Sequence, residues 1–247
     1  MTARHTAIEK IRSDIAAARI EVFSRIQPAA QIIPSRHKGK KFRRSLRPYL
    51  ACKKKIRADY APFIEAIGDR IGALHQRHWP RDKEIVQLWL NLAAFVAQGG
   101  EHPNWKKCSG ALLIDPNNVL AGFDANRIPE GQESKLRYYA KGVRQNHIVC
   151  AERNVINGFN RTPTSASGPS SLVLVVTAPP CIECVAEIVG RKPLISTVIA
   201  DIKAGKEFTR YASMLLGMQT LTETGIMLGK YDGHRNGQKR LIWHHAP

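Results

Sequence analysis

Leu172-Val-Leu-Val-Val-Thr-Ala-Pro-Pro-Cys-Ile-Glu-Cys184 is the stretch from which the rest of the 247-residue chain can be read. Leu172 to Thr177 is a continuous apolar run rich in valine, the pattern of a strand in a sheet buried on both faces. It stops at Pro179-Pro180, and a C-x-x-C follows at once. Proline fits the first turn of a helix, where its missing N–H has no intrahelical partner anyway. Cys181 then sits at the positive end of a helix, which favours thiolate.

A second helix start lies upstream. Cys150-Ala-Glu-Arg-Asn-Val-Ile-Asn157 places Cys150 31 residues before Cys181. Cys150, Cys181 and Cys184 together have the make-up of a catalytic zinc site, which keeps three protein ligands and leaves the fourth position for water. Zinc lowers the pKa of that water to about 7. Glu152, two residues into its helix, is turned toward the metal without ligating it and is placed to carry protons. This is the equipment for hydrolytic replacement of an exocyclic amine on a base. Three thiolates leave the Zn²⁺ site with a net negative charge, which opposes ionisation of the water. Arg153 is placed to hydrogen-bond a thiolate and draw off charge; the alternative is a solvated surface arginine. His147, three residues before Cys150, would close the site as a fourth ligand; a place beside the metal or on the substrate side is expected instead, or no role. Cys52 and Cys108, isolated in sequence, read as small apolar residues.

These motifs resemble the cytidine/deoxycytidylate deaminase superfamily over about residues 80–230. Asn146 to Ile156 resembles the first zinc motif of deoxycytidylate deaminases, with Cys150 in place of their histidine. Cys-Ala-Glu-Arg itself is similar to the cytidine deaminases of free nucleosides, and Thr177 to Cys184 to the second motif of both. Gly122-Phe-Asp-Ala-Asn-Arg-Ile-Pro129 resembles a Gly-Tyr-Asn-Gly-x-Pro loop in which the asparagine contacts the nucleotide sugar; Asn126 matches it, while the tyrosine and second glycine are absent. The resemblance implies Zn²⁺ as cofactor, Glu152 as catalytic residue, and Asn126, Ala151, Thr177 and Pro180 as substrate-binding positions. It also implies a three-layer αβα sandwich with a mixed sheet.

The rest of that region agrees with an α/β fold. Ser109 to Ile114 and Val119 to Phe123 read as a hairpin around the turn Asp115-Pro-Asn-Asn118. Thr197 to Ala200 is another strand, residues 209–216 a helix, and Gly225 to Leu228 a last strand. A helix between two strands implies a parallel crossover, so the last strand should be parallel. Within the resembled superfamily, that topology marks the nucleotide and polynucleotide branch. Thr162 to Ser171 is a loop by composition, and 231–247 reads as a polar tail, free or capping the pocket.

Residues 1–79 read as a basic, mainly helical extension. They hold 18 Lys and Arg against 6 Asp and Glu, whereas the whole chain carries +18. Apolar residues fall at helical spacing in 5–27 (Ile8, Ile11, Ile15) and 58–77 (Phe63, Ile67, Ile71, Leu74). Between them the cations of residues 36–57, interleaved with Phe42 and Tyr49, suit a nucleic-acid backbone; a solvated basic face or packing in a homo-oligomer are the alternatives. No apolar run of ~18 residues is present to span a membrane, and the cysteine usage fits a reducing, cytoplasmic setting.

Three functions remain open. Asn126, Asn154 and the strand order favour a free cytosine nucleotide, its phosphate held by Lys135, Arg137, Lys141 and Arg144. The basic segment favours cytosine or adenine within a polynucleotide, whose base would have to be extruded. A zinc-stabilised nucleic-acid-binding protein without catalysis is the third, and Glu152 argues against it.

Overall fold

The computed structural model describes residues 2–31, 39–74, 80–102, 108–129, 148–159, 171–191, 194–202, 211–233 and 239–244. The run at Leu172 is strand β3 (Leu172–Val176), every residue buried. It lies between β1 (Gly110–Ile114), antiparallel, and β4 (Ile195–Asp201), parallel. β2 (Leu120–Ala125) pairs antiparallel with β1, and β5 (Met227–Gly233) pairs parallel with β4. A sixth strand, β6 (Lys239–His244), adds antiparallel to β5, giving the order β2-β1-β3-β4-β5-β6.

Strand alternation sorts side chains to the two faces. Ala111, Leu113, Leu174, Val176, Val198 and Ala200 meet one set of helices: α4 (Ala151–Gly158), α5 (Ile182–Gly190) and α6 (Tyr211–Glu223). Leu112, Ile114, Val173, Val175 and Ile199 meet α3 (Lys83–Val96) on the other face. The result is the expected helix–sheet–helix sandwich, a mixed sheet with β5 parallel. The sequence reading ended the sheet at Leu228. Residues 239–244, taken as part of a polar tail, instead form an edge strand. Leu241 and Trp243 pack inward while Ile242 stays 45% exposed, and the Trp243 ring lies so close over Gly229 that a Cβ there would come within 2.8 Å of it. Flanking Lys, Arg and His hide that alternation in the sequence.

No one-sided apolar stripe in the sequence marks α3. It is apolar nearly all round, which is the pattern of a helix covered on every side. Asp82 caps its start, accepting from Glu84 N at 3.0 Å and Ile85 N at 3.3 Å, and Arg4 pairs with both Asp82 and Glu84. Trp89, fully buried, donates its indole N–H to Asn118 Oδ1 at 3.1 Å. Asn118 takes φ 63° in the β1–β2 turn, a conformation its short polar side chain tolerates.

The cover on α3 comes from α1 (Ala3–Gln31) and α2 (Gly39–Gly72). Arg25–Asp59 (2.5 Å) and Arg70–Asp14 (2.7 Å) show the two helices running antiparallel. Buried positions recur at spacings of three and four, at 8, 11, 15, 18, 22 and 26 in α1 and at 46, 49, 53, 56, 60, 64, 67 and 71 in α2. That is the seam of a coiled-coil-like hairpin. It belongs to the same apolar cluster as α3 and the sheet.

The second helix begins at residue 39, well before the expected 58, and takes in much of the basic run. Its seam carries polar side chains as well. Tyr49 donates to His102 O (2.9 Å), Lys53 donates to Gln98 O, and Arg57 donates to Gly99 O (2.9 Å) and to Glu101 Oε1 (2.6 Å). These groups cap the carbonyls left open just beyond α3, where cations are also favoured by the helix dipole. Burial pulls the Lys53 ammonium pKa below its ordinary value. Tyr49 and Lys53 therefore do not line an outward face for nucleic acid, as the sequence suggested. Arg47, Lys54 and Lys55 are exposed, and the side chains of residues 36–45, Phe42 among them, lie outside the described residues.

Because α3 depends on this hairpin for cover, removal of residues 2–78 is expected to abolish the cooperative thermal transition seen by circular dichroism. A truncated chain that melts cooperatively within a few degrees of the full protein would show the sheet and α3 to be self-sufficient.

Candidate metal centre

Strand β3 ends at Val176, and Thr177 fixes the exit. Its N–H donates to Gly110 O, and its Oγ1 accepts from Gly110 N, both at 3.1 Å. The chain then passes through buried Ala178, Pro179 and Pro180 to Cys181, the N-cap of α5. Cys150 is likewise the N-cap of α4, and neither sulfur caps its own helix. At α5 that role passes to Ser213 of α6, whose Oγ accepts from Ile182 N at 3.1 Å. Gly217 permits the approach, since a Cβ there would lie 2.5 Å from Pro180 O. Neither residue was singled out in the sequence, because each acts only through the packing of α6.

The Sγ atoms of Cys150, Cys181 and Cys184 all lie within 4.8 Å of one another, and Cys181 and Cys184 are 3.5 Å apart. Cys181 and Cys184 are buried, Cys150 partly so. With three thiols this close, one ionises easily and the others resist. Donation from Cys150 and then Cys184 holds Cys181 far below the ordinary thiol range; the contact with Cys181 holds Cys150 above it, and those with Cys150 and Cys181 hold Cys184 above it. A thiolate among thiols, at two helix N-termini, is a donor set that softer and borderline metals take.

Glu152 is buried at 6% exposure, and its Oε2 has no hydrogen-bond partner among the described residues. Burial pushes its carboxyl up to about 7, and the charge on Cys181 adds to the shift. A buried carboxylate oxygen without a partner is costly, and none of the described residues supplies one to Glu152 Oε2. The cluster and this oxygen together fit a bound metal.

The remaining sequence candidates fall into four groups. Asn126 is buried and ties loops together, its Oδ1 accepting from Ser109 N (2.9 Å) and its backbone carbonyl from Glu101 N (2.9 Å). Asn154 Nδ2 donates to Ala125 O (2.8 Å) and Val149 O (3.4 Å), so it fastens the end of β2 and the approach to Cys150 to α4. Ala151 and Pro180 are buried at the two helix starts. Arg153 has a buried Nε without a partner among the described residues, and no hydrogen bond from it to a cysteine sulfur is found among them. His147, Lys135, Arg137, Lys141 and Arg144 lie outside the described residues.

No known protein family matches the chain, and no curated protein does. Among solved structures it is similar to the dCMP deaminase of the cyanophage S-TIM5 in apo form, at 17% identity and a TM-score of 0.42, with 60% of this chain and 98% of that chain covered.

The Glu152 shift has a signed consequence for the metal-free protein. With its folded pKa raised from 4.5 to about 7, Glu152 is protonated in both states below pH 4.5. Between those values the unfolded state releases the proton first, so folding stability falls as pH rises. At most about 3 kcal/mol is lost across that window. Glu152→Gln removes this term, and the difference in stability between wild type and variant, from denaturant titrations in chelator, should shrink or reverse from pH 4.5 to 7. A difference independent of pH would contradict the burial of this carboxyl.

Proposed function

We propose that the protein is a zinc-dependent hydrolytic deaminase of a free cytosine nucleotide, of the dCMP or CMP kind. The observation that carries this reading is the conjunction of three cysteine sulfurs within 4.8 Å of one another and a buried, partnerless Glu152 oxygen two residues along the chain from one of them. Cys150, Cys181 and Cys184 would hold the zinc. Bound zinc supplies a Lewis acid that makes hydroxide available at neutral pH.

Glu152 takes the proton that the attacking water gives up and delivers it to the ring nitrogen beside the amine-bearing carbon. It then carries the second proton, from the new hydroxyl, to the departing amine. Water's oxygen stays on the ring, ammonia leaves, and the carboxylate returns to its starting state. A carboxyl with a pKa near 7 suits a group that must both accept and donate at neutral pH. Asn126, Ala151, Thr177 and Pro180 are proposed to border the base and sugar. Asn126 and Thr177 do so as parts of loops that they also fasten, Asn126 through Ser109 and Thr177 through Gly110. Arg153 and His147 are proposed to stand beside the metal and the substrate.

One observation favours a second reading, deamination within a single-stranded polynucleotide: Arg47, Lys54 and Lys55 remain exposed on α2. Against it, Lys53 and Arg57 are spent on carbonyls and on Glu101 inside the fold.

Purified without chelator, the protein should carry one zinc per chain. Incubation with nucleosides, nucleotides and single-stranded DNA and RNA should give the roughly 1 Da mass gain of amine-to-oxygen exchange on a mononucleotide. Glu152→Ala should keep the zinc and lower kcat by at least ~10². Conversion confined to polymers, with affinity falling steeply in salt, would move the assignment to the second reading. Full activity in Glu152→Ala would remove Glu152 from the chemistry.

A further inference from the structure

The polar contacts of α2 converge on one short segment. Tyr49, Lys53 and Arg57 lie four residues apart, on one helical face, and their donors end on the carbonyls of His102, Gln98 and Gly99. Arg57 also holds Glu101, whose side chain is 4% exposed. Glu101 does not end the chain of contacts. Its other oxygen accepts from Ile128 N at 3.0 Å, and its own N–H donates to Asn126 O at 2.9 Å. Thus one residue grips both sides of Arg127.

Arg127 in turn makes an antiparallel bridge to Val149, with N···O distances of 3.1 and 2.9 Å. Val149 immediately precedes Cys150. Asn154 of α4 holds the last residue of β2, just before that loop, through Ala125 O. The loop Asn126–Pro129 is therefore held between the metal-binding helix and the basic N-terminal hairpin.

We infer that Arg57 is a positioning residue: through Glu101 it sets the place of the Asn126–Ile128 loop, and the N-terminal hairpin is thereby a working part of the substrate site. The consequence for turnover rests on the deaminase reading above. The placement of the loop rests on the contacts alone. The inward cation Arg57 thereby has a role that needs no polynucleotide.

Removing Arg57 alone would leave Glu101 as a buried, unpaired carboxylate, a strongly destabilising change. The test therefore uses Arg57→Met/Glu101→Leu, which removes both charges. Arg57→Lys serves as the conservative variant, and Arg25→Met/Asp59→Leu as a control pair on the same hairpin, away from the loop. Zinc content, residue-resolved amide hydrogen exchange and CMP or dCMP kinetics are measured on the full chain.

The Arg57/Glu101 variant should keep its zinc while the amides of residues 101 and 128 exchange at least about tenfold faster than in wild type. KM should rise about tenfold with kcat within about threefold, the signature of lost substrate placement rather than lost chemistry. Arg57→Lys should fall between, and the control pair should leave both readouts near wild type. If the two amides exchange no faster than in the control pair, or if KM and kcat match the control, the inference is overturned. If wild-type protein turns over no nucleotide, the deaminase reading fails, and the exchange comparison alone decides the positioning role.

Discussion

Two helix N-termini must meet for this site to exist, and the rest of the structure serves that meeting. The first turns of α4 and α5 bring three sulfurs within 4.8 Å. Without a metal such a cluster opposes itself: one thiolate suppresses ionisation of its neighbours, and the carboxyl of Glu152 is pushed up to about 7 inside the same buried space. The fold carries this cost through its strand order. β3 lies beside β1, Thr177 locks the end of β3 to Gly110, and the Arg127–Val149 bridge delivers Cys150 from the β2 side. Neither helix caps itself with its cysteine, so the sulfurs remain directed to one another; at α5, Ser213 of α6 takes over the capping bond.

The charge of the N-terminal region reads differently once it is folded. In composition, residues 1–79 resemble a polyanion-binding arm. In the structure, the helix that carries much of this charge is a seam-packed member of a hairpin covering α3, and its inward cations satisfy open carbonyls and Glu101. A buried lysine loses much of its preference for the charged state, and the downward shift at Lys53 reflects that. Net charge is a statement about composition. How much of it faces a ligand depends on where the helical seam falls.

The strands around the site were legible because they are short, apolar and bounded by turn residues, and the cysteines because their spacing carries chemistry. The α1 seam at Ile8, Ile11 and Ile15 was legible for the same reason of period. Other elements were not. α3 is apolar on nearly every side, so it shows no single face to detect. The basic stretch before residue 58 looks like an outward nucleic-acid contact until Leu46, Tyr49, Lys53 and Ile56 are seen as one stripe. β6 hides its Leu241–Trp243 alternation between polar neighbours. Ser213, Gly217 and Glu101 bear on the site only through tertiary contacts, and nothing local marks them. Asn126 and Asn154, read from the sequence as pointers to a nucleotide, are also hydrogen-bonded fasteners, Asn126 of the loop that borders the site and Asn154 of the strand end before it.

We propose that the three clustered cysteines hold a catalytic metal with its fourth position open. X-ray absorption of the zinc-loaded protein tests it most directly. The expected result is three sulfur neighbours at about 2.3 Å and one light-atom neighbour at about 2.0 Å, without the scattering pattern of an imidazole. Four protein ligands, whether by a fourth sulfur or by a histidine, would contradict it, because a closed shell leaves no place for the water on which the proposed reaction depends.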